Sequence, residues 1–448
     1  MMPSSNLPSA RKLACEGLYD IFHKESYANL TIQNLLRRYP LRDEERRFLT
    51  ELIYGVLRRW NVLLWIMGQL SSRPVRKMHP VVQILLALGL YQLRFLDHVP
   101  PSAAVNETVK LARKMTHQGN AGFVNAILRN YLRKADSFVL PEEARTPEET
   151  ALLYNEPAWL VKKWTKDWGK ARTEAVCRAL NEIQPMQVRA NTLKMSVSDV
   201  ERMLEKEGLS PAAVPFARGG FFLGKTPSLF QASWLSEGLA YVQNASSMVP
   251  ALMAAPKAGD RVLDMCAAPG SKTTQMAAMM GNEGTIDAWD LYPHKIKLIE
   301  DNCRRLGITC VRGEVRDASI PDQSRFAAYD TVLLDAPCSG LGVLGRKLEL
   351  RWRRKEEDLA AFPSLQKQLL DAAASYVRPG GILVYSTCTL NKAENEEMAA
   401  DFLKRHDEFE AVPYVLEEGA PAETMTTLWP DETKSDGFFA VKLRRRES

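Results

Sequence analysis

After Tyr241 the chain alternates between two hydrophobic periods with a regularity that few folds can use. Strand-like "DRVLDM" is followed by helix-like "SKTTQMAAMM", and "GTIDAWD" by "PHKIKLIEDNCRRLG". "TCVRGEV" and "YDTVLLDA" continue the series, "LQKQLLDAAASYV" precedes "GGILVYSTC", and "DGFFAVKLRRR" reads as a last strand. Parallel neighbours need a crossover between them, and a helix supplies it, so the expected fold is α/β with a doubly wound, mainly parallel sheet. Open sheets of this kind bind ligands outside the carboxyl ends of their strands. The residues that follow each strand are therefore where chemistry is to be sought.

Upstream of this region the pattern is different. "ARKLACEGLYDIF", "RFLTELIYGVLRRWNVLLWIMGQL", "HPVVQILLALGLYQLRFL" and "SAAVNETVKLARKM" carry apolar residues three and four apart, which predicts an all-α bundle. "RKADSFVLPEEARTPEET", residues 133–150, turns to Pro, Glu and Thr and reads as a linker. Between it and Tyr241, "MQVRANTLK", the capped "SVSDVERMLEKEG" and "GGFFLG" predict a small α+β module. At 448 residues the chain is long enough for such a three-part division, at 1–140, 150–240 and 241–448.

Residues 1–134 hold 20 Lys and Arg against 9 Asp and Glu, so a basic module is joined to a mildly acidic remainder. Two readings of that charge stand: attachment to a polyanion such as nucleic acid, or solvated cationic helix faces. The start, "MMPSSNLPSARK", lacks the apolar core of a signal peptide, and the apolar runs are too short and interrupted to span a bilayer. A cytoplasmic protein with no membrane partner is expected. The seven cysteines form no C-x-x-C pair and no His/Cys spacing of a zinc site, so no metal is expected and one or two thiols are candidates for reactivity.

The first candidate site is "VLDMCAAPGSKTTQ", a strand end whose Gly/Ala/Pro turn opens a helix and lets a ligand approach backbone amides. A phosphate-binding P-loop is excluded, because Ser271 separates Gly270 from Lys272 and the upstream glycine is missing. Asp290 ends the next strand twenty residues beyond Gly270, where dinucleotide folds place a ribose-binding acid, although the G-x-G-x-x-G turn is absent. Asp317 follows the third strand and Asp335 the fourth; with Asp264 they make four acids at one sheet edge. Cys338 and Cys388 follow neighbouring strands fifty residues apart, so their thiols could share one pocket as nucleophile and partner. The residues alone do not choose between them.

"DMCAAPGSKT", "LLDAPCSGLG" and "YSTCTLNKAENE" together resemble the S-adenosylmethionine-dependent RNA 5-methylcytosine methyltransferases of the Nop/Sun family. "PPSAAVNETVKLARK" and "GFVNAILRNYLR" resemble the NusB-like RNA-binding domain of a member that acts on small-subunit ribosomal RNA. The resemblance implies a Rossmann-like methyltransferase domain over 241–448, a NusB-like domain over 1–140 and a small RNA-binding α+β subdomain over 150–240. It implies S-adenosyl-L-methionine as cofactor, with Cys266, Ala267, Ala268, Pro269, Gly270, Ser271 and Lys272 around its methionine part. Asp290 would hold the ribose, Asp317 would lie by the adenine, and Asp335 would stand between cofactor and base.

By the same resemblance Cys388 attacks carbon 6 of a cytosine in 16S rRNA and Cys338 assists release of the product, with Asp335 and Lys272 as further catalytic groups. Arg189 and Asn191, in "QVRANTLK", match a segment associated with RNA. The basic "RKLELRWRRK" around Trp352 is expected to add phosphate contacts. The chain departs from the family at Asn244, where an acid is common, and near Leu348, where a proline is usual. Nothing demands more than a monomer. A tRNA cytosine methyltransferase and a non-catalytic RNA-binding assembly factor are the other readings; the NusB-like segment argues against the first and intact Cys338, Cys388 and Asp335 against the second.

Overall fold

The computed structural model describes residues 8–225, 232–417 and 419–447. Residues 1–7, part of the stretch read for a leader, lie outside them. The chain divides into two compact units, one of residues 1–181 with 346–356 and the other of 182–345 with 357–448.

The first unit is helical. Its helices are α1 (Ala10–His23), α2 (Ala28–Arg38), α3 (Asp43–Leu70), α4 (Pro80–Phe95), α5 (Pro101–Met115), α6 (Gln118–Arg133), α7 (Pro147–Leu153) and α8 (Ala158–Asn181). Ser9 caps α1 by accepting from Lys12 N, and Pro80 at the start of α4 sits where its missing N–H costs nothing. The apolar run Ile84–Tyr91 of α4 is explained by its position, since Ile84 to Gln92 are all buried. Gly55 on α3 admits Tyr91 of α4, whose ring would lie 2.0 Å from a Cβ there.

This unit runs on through α7 and α8 to Asn181. A capping box at Thr146 and Glu149 starts α7, and Asn61 on α3 donates to Ala151 O at 2.9 Å and Glu156 O at 3.1 Å, tying the α7–α8 connection to the bundle. The basic segment around Trp352 also belongs here. Arg351 is buried and pairs with buried Glu156 at 2.8 Å, while the Trp352 indole N–H donates to Leu57 O at 3.1 Å. The expected phosphate contacts from these two side chains are thereby corrected: both are spent on the inside of the helical unit.

The second unit carries two sheets. In the smaller, β1 (Met186–Ala190), β2 (Pro211–Ala213), β3 (Gly220–Leu223) and β4 (Ala240–Val242) are ordered β2-β3-β1-β4, all antiparallel. The larger contains β5 (Arg261–Asp264), β6 (Thr285–Asp290), β7 (Val311–Val315), β8 (Tyr329–Asp335), β9 (Val377–Thr387), β10 (Phe409–Ala411), β11 (Met425–Leu428) and β12 (Phe438–Arg445). Its order is β10-β12-β9-β8-β5-β6-β7, with β11 against β12. Strands β5 to β9 are parallel, as the alternation predicts, and β12 closes antiparallel on β9.

Neighbouring residues on each strand point to opposite faces. Val262, Ala288, Leu333 and Val384 pack in one core, and Leu263, Trp289, Leu334 and Tyr385 in the other. The chain winds from β5 outward through β6 and β7, then returns to β8 on the other side of β5. That reversal opens a crevice at the carboxyl ends of β5 and β8.

Candidate active site

The turn after β5 brings the backbone to this crevice. Gly270 has φ 95°, and a Cβ there would meet Ile299 Cα at 3.3 Å, so the turn before the helix Ser271–Met279 needs glycine for both conformation and space. Ala267 N donates to Trp289 O at 2.8 Å, fastening the turn to β6. Asp264, at the end of β5, accepts from Thr273 Oγ1 at 2.7 Å, and burial pushes its carboxyl up to about 7. Cys266 remains a thiol, since burial pushes its ionisation well above the ordinary value.

Lys272 reaches from the helix to β8. Its Nζ lies 2.6 Å from Asp335 Oδ2 and 3.0 Å from Ser247 Oγ, above the Phe438 ring at 5.2 Å. The other carboxylate oxygen of Asp335 accepts from Ser386 Oγ of β9 at 2.9 Å. Asp335 and Lys272 are thus one hydrogen-bonded unit, held by three strands and a helix start.

Asp290 is buried at the end of β6. Its Oδ1 takes the Tyr292 N–H and Lys295 Nζ, both at 3.3 Å, and its Oδ2 has no protein partner among the described residues. An acid left with one open acceptor beside a glycine turn suits a cofactor with ribose hydroxyls, so the residues present fit S-adenosylmethionine. Asp317 is exposed past β7 and accepts from Ser319 N and Oγ at 3.0 and 2.6 Å.

The parallel register pairs Asp335 with Ser386, and the chains run on from there to Cys338 and Cys388. The two Sγ atoms are 3.3 Å apart. The hydrogen bond to Cys388, then burial, then the charges of Cys388, Glu394 and Asp335 push the Cys338 thiol well above its ordinary value. At this separation either sulfur can donate to the other, and burial with the neighbouring negative charges disfavours a thiolate on Cys338.

Arg189 and Asn191 are in a different position from the one expected. Both are buried in the second unit. Arg189 donates to Gln243 Oε1 at 2.8 Å and Thr274 Oγ1 at 3.1 Å, and burial pulls its guanidinium down to about 10; Asn191 Nδ2 donates to Gly238 O and Leu306 O at 2.8 and 2.9 Å. Both side chains spend these donors inside the unit, where Arg189 braces the helix that carries Lys272. Asn244 accepts from Ser435 Oγ at 2.8 Å.

Several residues at the site carried no sequence signal of their own. Ser247 and Ser386 are ordinary serines until the fold sets them against Lys272 and Asp335. Glu394, fully buried beneath the two cysteine loops, looks like one more acid in "NKAENE".

Among known proteins, the chain matches the family profile of the 16S rRNA methyltransferase RsmB/F over residues 251–444, that of the NusB family over 8–133, and the RsmF/B-like ferredoxin-like domain over 156–229. It is 38% identical to the "Probable ribosomal RNA small subunit methyltransferase B" of Synechocystis sp., over 98% of this chain and 99% of that one. It is 32% identical to the ribosomal RNA small subunit methyltransferase B of Klebsiella pneumoniae, over 98% of each. The solved structure of PH0851 superposes with a TM-score of 0.82 at 27% identity, covering 98% of this chain and 99% of that one. NSun6 from Pyrococcus horikoshii, solved with SFG, gives 0.58 at 25% identity over 64% and 97%. Among the described residues no helix is long and apolar enough to cross a membrane. The activity is S-adenosylmethionine-dependent methylation of small-subunit ribosomal RNA, and the chain belongs to the 16S rRNA methyltransferase RsmB/F family.

Proposed function

We propose that the methyl group is delivered to carbon 5 of a cytosine through a covalent bond between Cys388 and carbon 6. The observation that carries this reading is the 3.3 Å approach of two thiols next to the Asp335–Lys272 pair. Carbon 5 of cytosine is a poor nucleophile until a thiolate adds at carbon 6 and pushes electron density onto it. Bound S-adenosylmethionine supplies the electrophilic methyl, carried on a sulfonium. The turn 266–272 would hold its methionine part, Asp290 its ribose hydroxyls and Asp317 its adenine.

Cys338, holding its proton, favours Cys388 as the thiolate that attacks. Asp335 hydrogen-bonds the base near its amino group and ring nitrogen 3, and Lys272 orients that carboxylate. After methylation a water molecule at the crevice, acting as base, takes the carbon 5 proton, the electrons of that C–H bond restore the double bond, and the C6–S bond breaks. The Cys338 proton then meets the departing Cys388 thiolate. A cytosine attacked on its face must be unstacked, so the RNA is taken in a loop or with the base flipped out. The cationic helical unit supplies phosphate contacts. We read the protein as a monomer working in the cytoplasm, where both thiols stay reduced.

A denaturing gel tests this. With labelled 16S rRNA and cofactor, Cys388→Ala gives neither methylation nor adduct, and Cys338→Ala accumulates a denaturant-resistant protein–RNA adduct. An adduct that requires Cys338 and survives loss of Cys388 refutes the assignment.

A further inference from the structure

Beneath the two cysteine loops lies Glu394, whose side chain is completely buried and whose partners are all neutral. Its Oε2 accepts from Ser339 N and Gln366 Nε2, each at 2.9 Å; its Oε1 accepts from Asn391 Nδ2 at 2.8 Å and from Ser339 Oγ. Four donors on two oxygens fill the group as an acceptor, the pattern of a carboxylate. A buried carboxylate without a cation is costly, and a hydrophobic or amide side chain would fill this space at lower cost.

What it touches is specific. Ser339 follows Cys338 directly, and Thr389 follows Cys388 directly. The two hydroxyls are 2.7 Å apart, and Thr389 Oγ1 also takes Leu341 N at 3.2 Å. Gln366 donates its second proton to Pro337 O at 2.9 Å, so Cys338 is held on both sides by groups bound to Glu394. Tyr385 of β9 donates to Glu394 O at 2.6 Å, fixing the acid to the strand that leads to Cys388.

We propose that Glu394 is a positioning residue for the release step: through Ser339 and Gln366 it clamps the residues flanking Cys338 and keeps that thiol aimed at Cys388. This rests on the two-thiol reading of the reaction. The charge of Glu394 contributes to the upward shift of Cys338, in agreement with the contacts. Without it the residues on either side of Cys338 lose their anchor and one of the charges that raise this thiol is gone, so its proton reaches the departing sulfur less readily.

The test uses full-length protein, 16S rRNA and labelled cofactor, with Cys338→Ala measured alongside. Glu394→Gln keeps the shape and removes the charge. It is expected to lower kcat about tenfold, the scale of one charge-assisted hydrogen bond, with the RNA KM and cofactor affinity within about twofold of wild type. Adduct accumulates, and the alkaline limb of the rate profile moves to lower pH. Glu394→Asp, which keeps the charge, restores the position of that limb. A wild-type pH profile and no excess adduct in Glu394→Gln overturn the proposal. If Glu394→Gln no longer binds cofactor, Ser339→Ala decides: it is expected to raise the adduct about threefold, and wild-type release overturns the proposal. If Cys338→Ala itself traps no adduct, the two-thiol reading fails; if it traps adduct while Glu394→Gln does not, only the role of Glu394 fails.

Discussion

Replacing Asp335 by Asn and Lys272 by Met, singly and together, measures whether these residues act as one unit. The Nζ to Oδ2 distance is 2.6 Å, and the side chains are 8% and 27% exposed, so the contact is a charge-assisted hydrogen bond largely shielded from water. Such bonds contribute about 2 kcal/mol, which corresponds to roughly thirtyfold in rate. The Asn amide keeps the shape and an acceptor for Ser386 but leaves Lys272 as an uncompensated positive charge in a crevice that must take a sulfonium. Each single variant is therefore expected to lose roughly thirtyfold in kcat/KM for methyl transfer to 16S rRNA. The double variant loses little more than the worse single one, because the interaction has already gone and the stray charge with it. Tritium transfer from labelled cofactor gives kcat and KM, calorimetry gives cofactor affinity, and thermal melts check that each variant is folded. If the double variant instead loses about a thousandfold, the product of the single losses, the two residues act independently and the reasoning is wrong.

Gly270→Ala must place a Cβ 3.3 Å from Ile299 Cα at a left-handed φ, which costs about 1–2 kcal/mol and is expected to weaken cofactor binding in calorimetry more than it lowers the melting temperature. Arg351→Met leaves Glu156 buried and unpaired, so the melt of the full chain should show a loss of about 3–5 kcal/mol, with no change in the salt dependence of RNA binding. A stable variant with a shallower salt slope would return this arginine to the RNA. Burial raises the Asp264 carboxyl from its ordinary value of 3.8 to about 7, so between these values the folded chain holds a proton there that the unfolded chain has released. Its contribution to stability is complete below the unfolded value and declines as pH rises through about 7. Asp264→Asn should flatten that decline in urea titrations across the window, and an unchanged slope would locate it elsewhere.

How much of this was legible in the sequence depends on whether a residue's role follows from its place along the chain or from its surroundings. The alternating periods after Tyr241 reveal β5 to β9 because each strand and helix carries its own pattern. Once the sheet is parallel, the carboxyl-end rule picks out Asp264, Asp290, Asp317 and Asp335 without further information. Arg189, Asn191, Arg351 and Trp352 are the opposite case. A charged or polar side chain in a basic or polar run looks exposed, yet burial here is decided by partners distant in sequence: Glu156 for Arg351, Gln243 and Thr274 for Arg189. The unit boundary at Asn181 was hidden for the same reason, since the bonds from Asn61 to Ala151 and Glu156 span about ninety residues of sequence.

The pairing of the thiols follows from the sheet itself. Parallel strands β8 and β9 hold Asp335 opposite Ser386, and Cys338 and Cys388 lie three and two residues beyond that pair. Slipping the register by one residue would turn every side chain of β9 to the other face and separate the sulfurs. The loops beyond the strands are locked in the same register by Gly342 N donating to Cys388 O at 3.1 Å and Gly437 N to Gly342 O at 2.8 Å. A Cβ on Gly342 would lie 2.0 Å from Gly437 O, so this locking depends on glycine. The residues between the strands can accordingly serve another purpose, and 346–356 do so by completing the helical unit. Distance between the thiols is set by strand pairing and their protonation by the charges beside them. A chain can therefore lengthen or redecorate the connection between its two cysteines while the reacting geometry stays with the sheet.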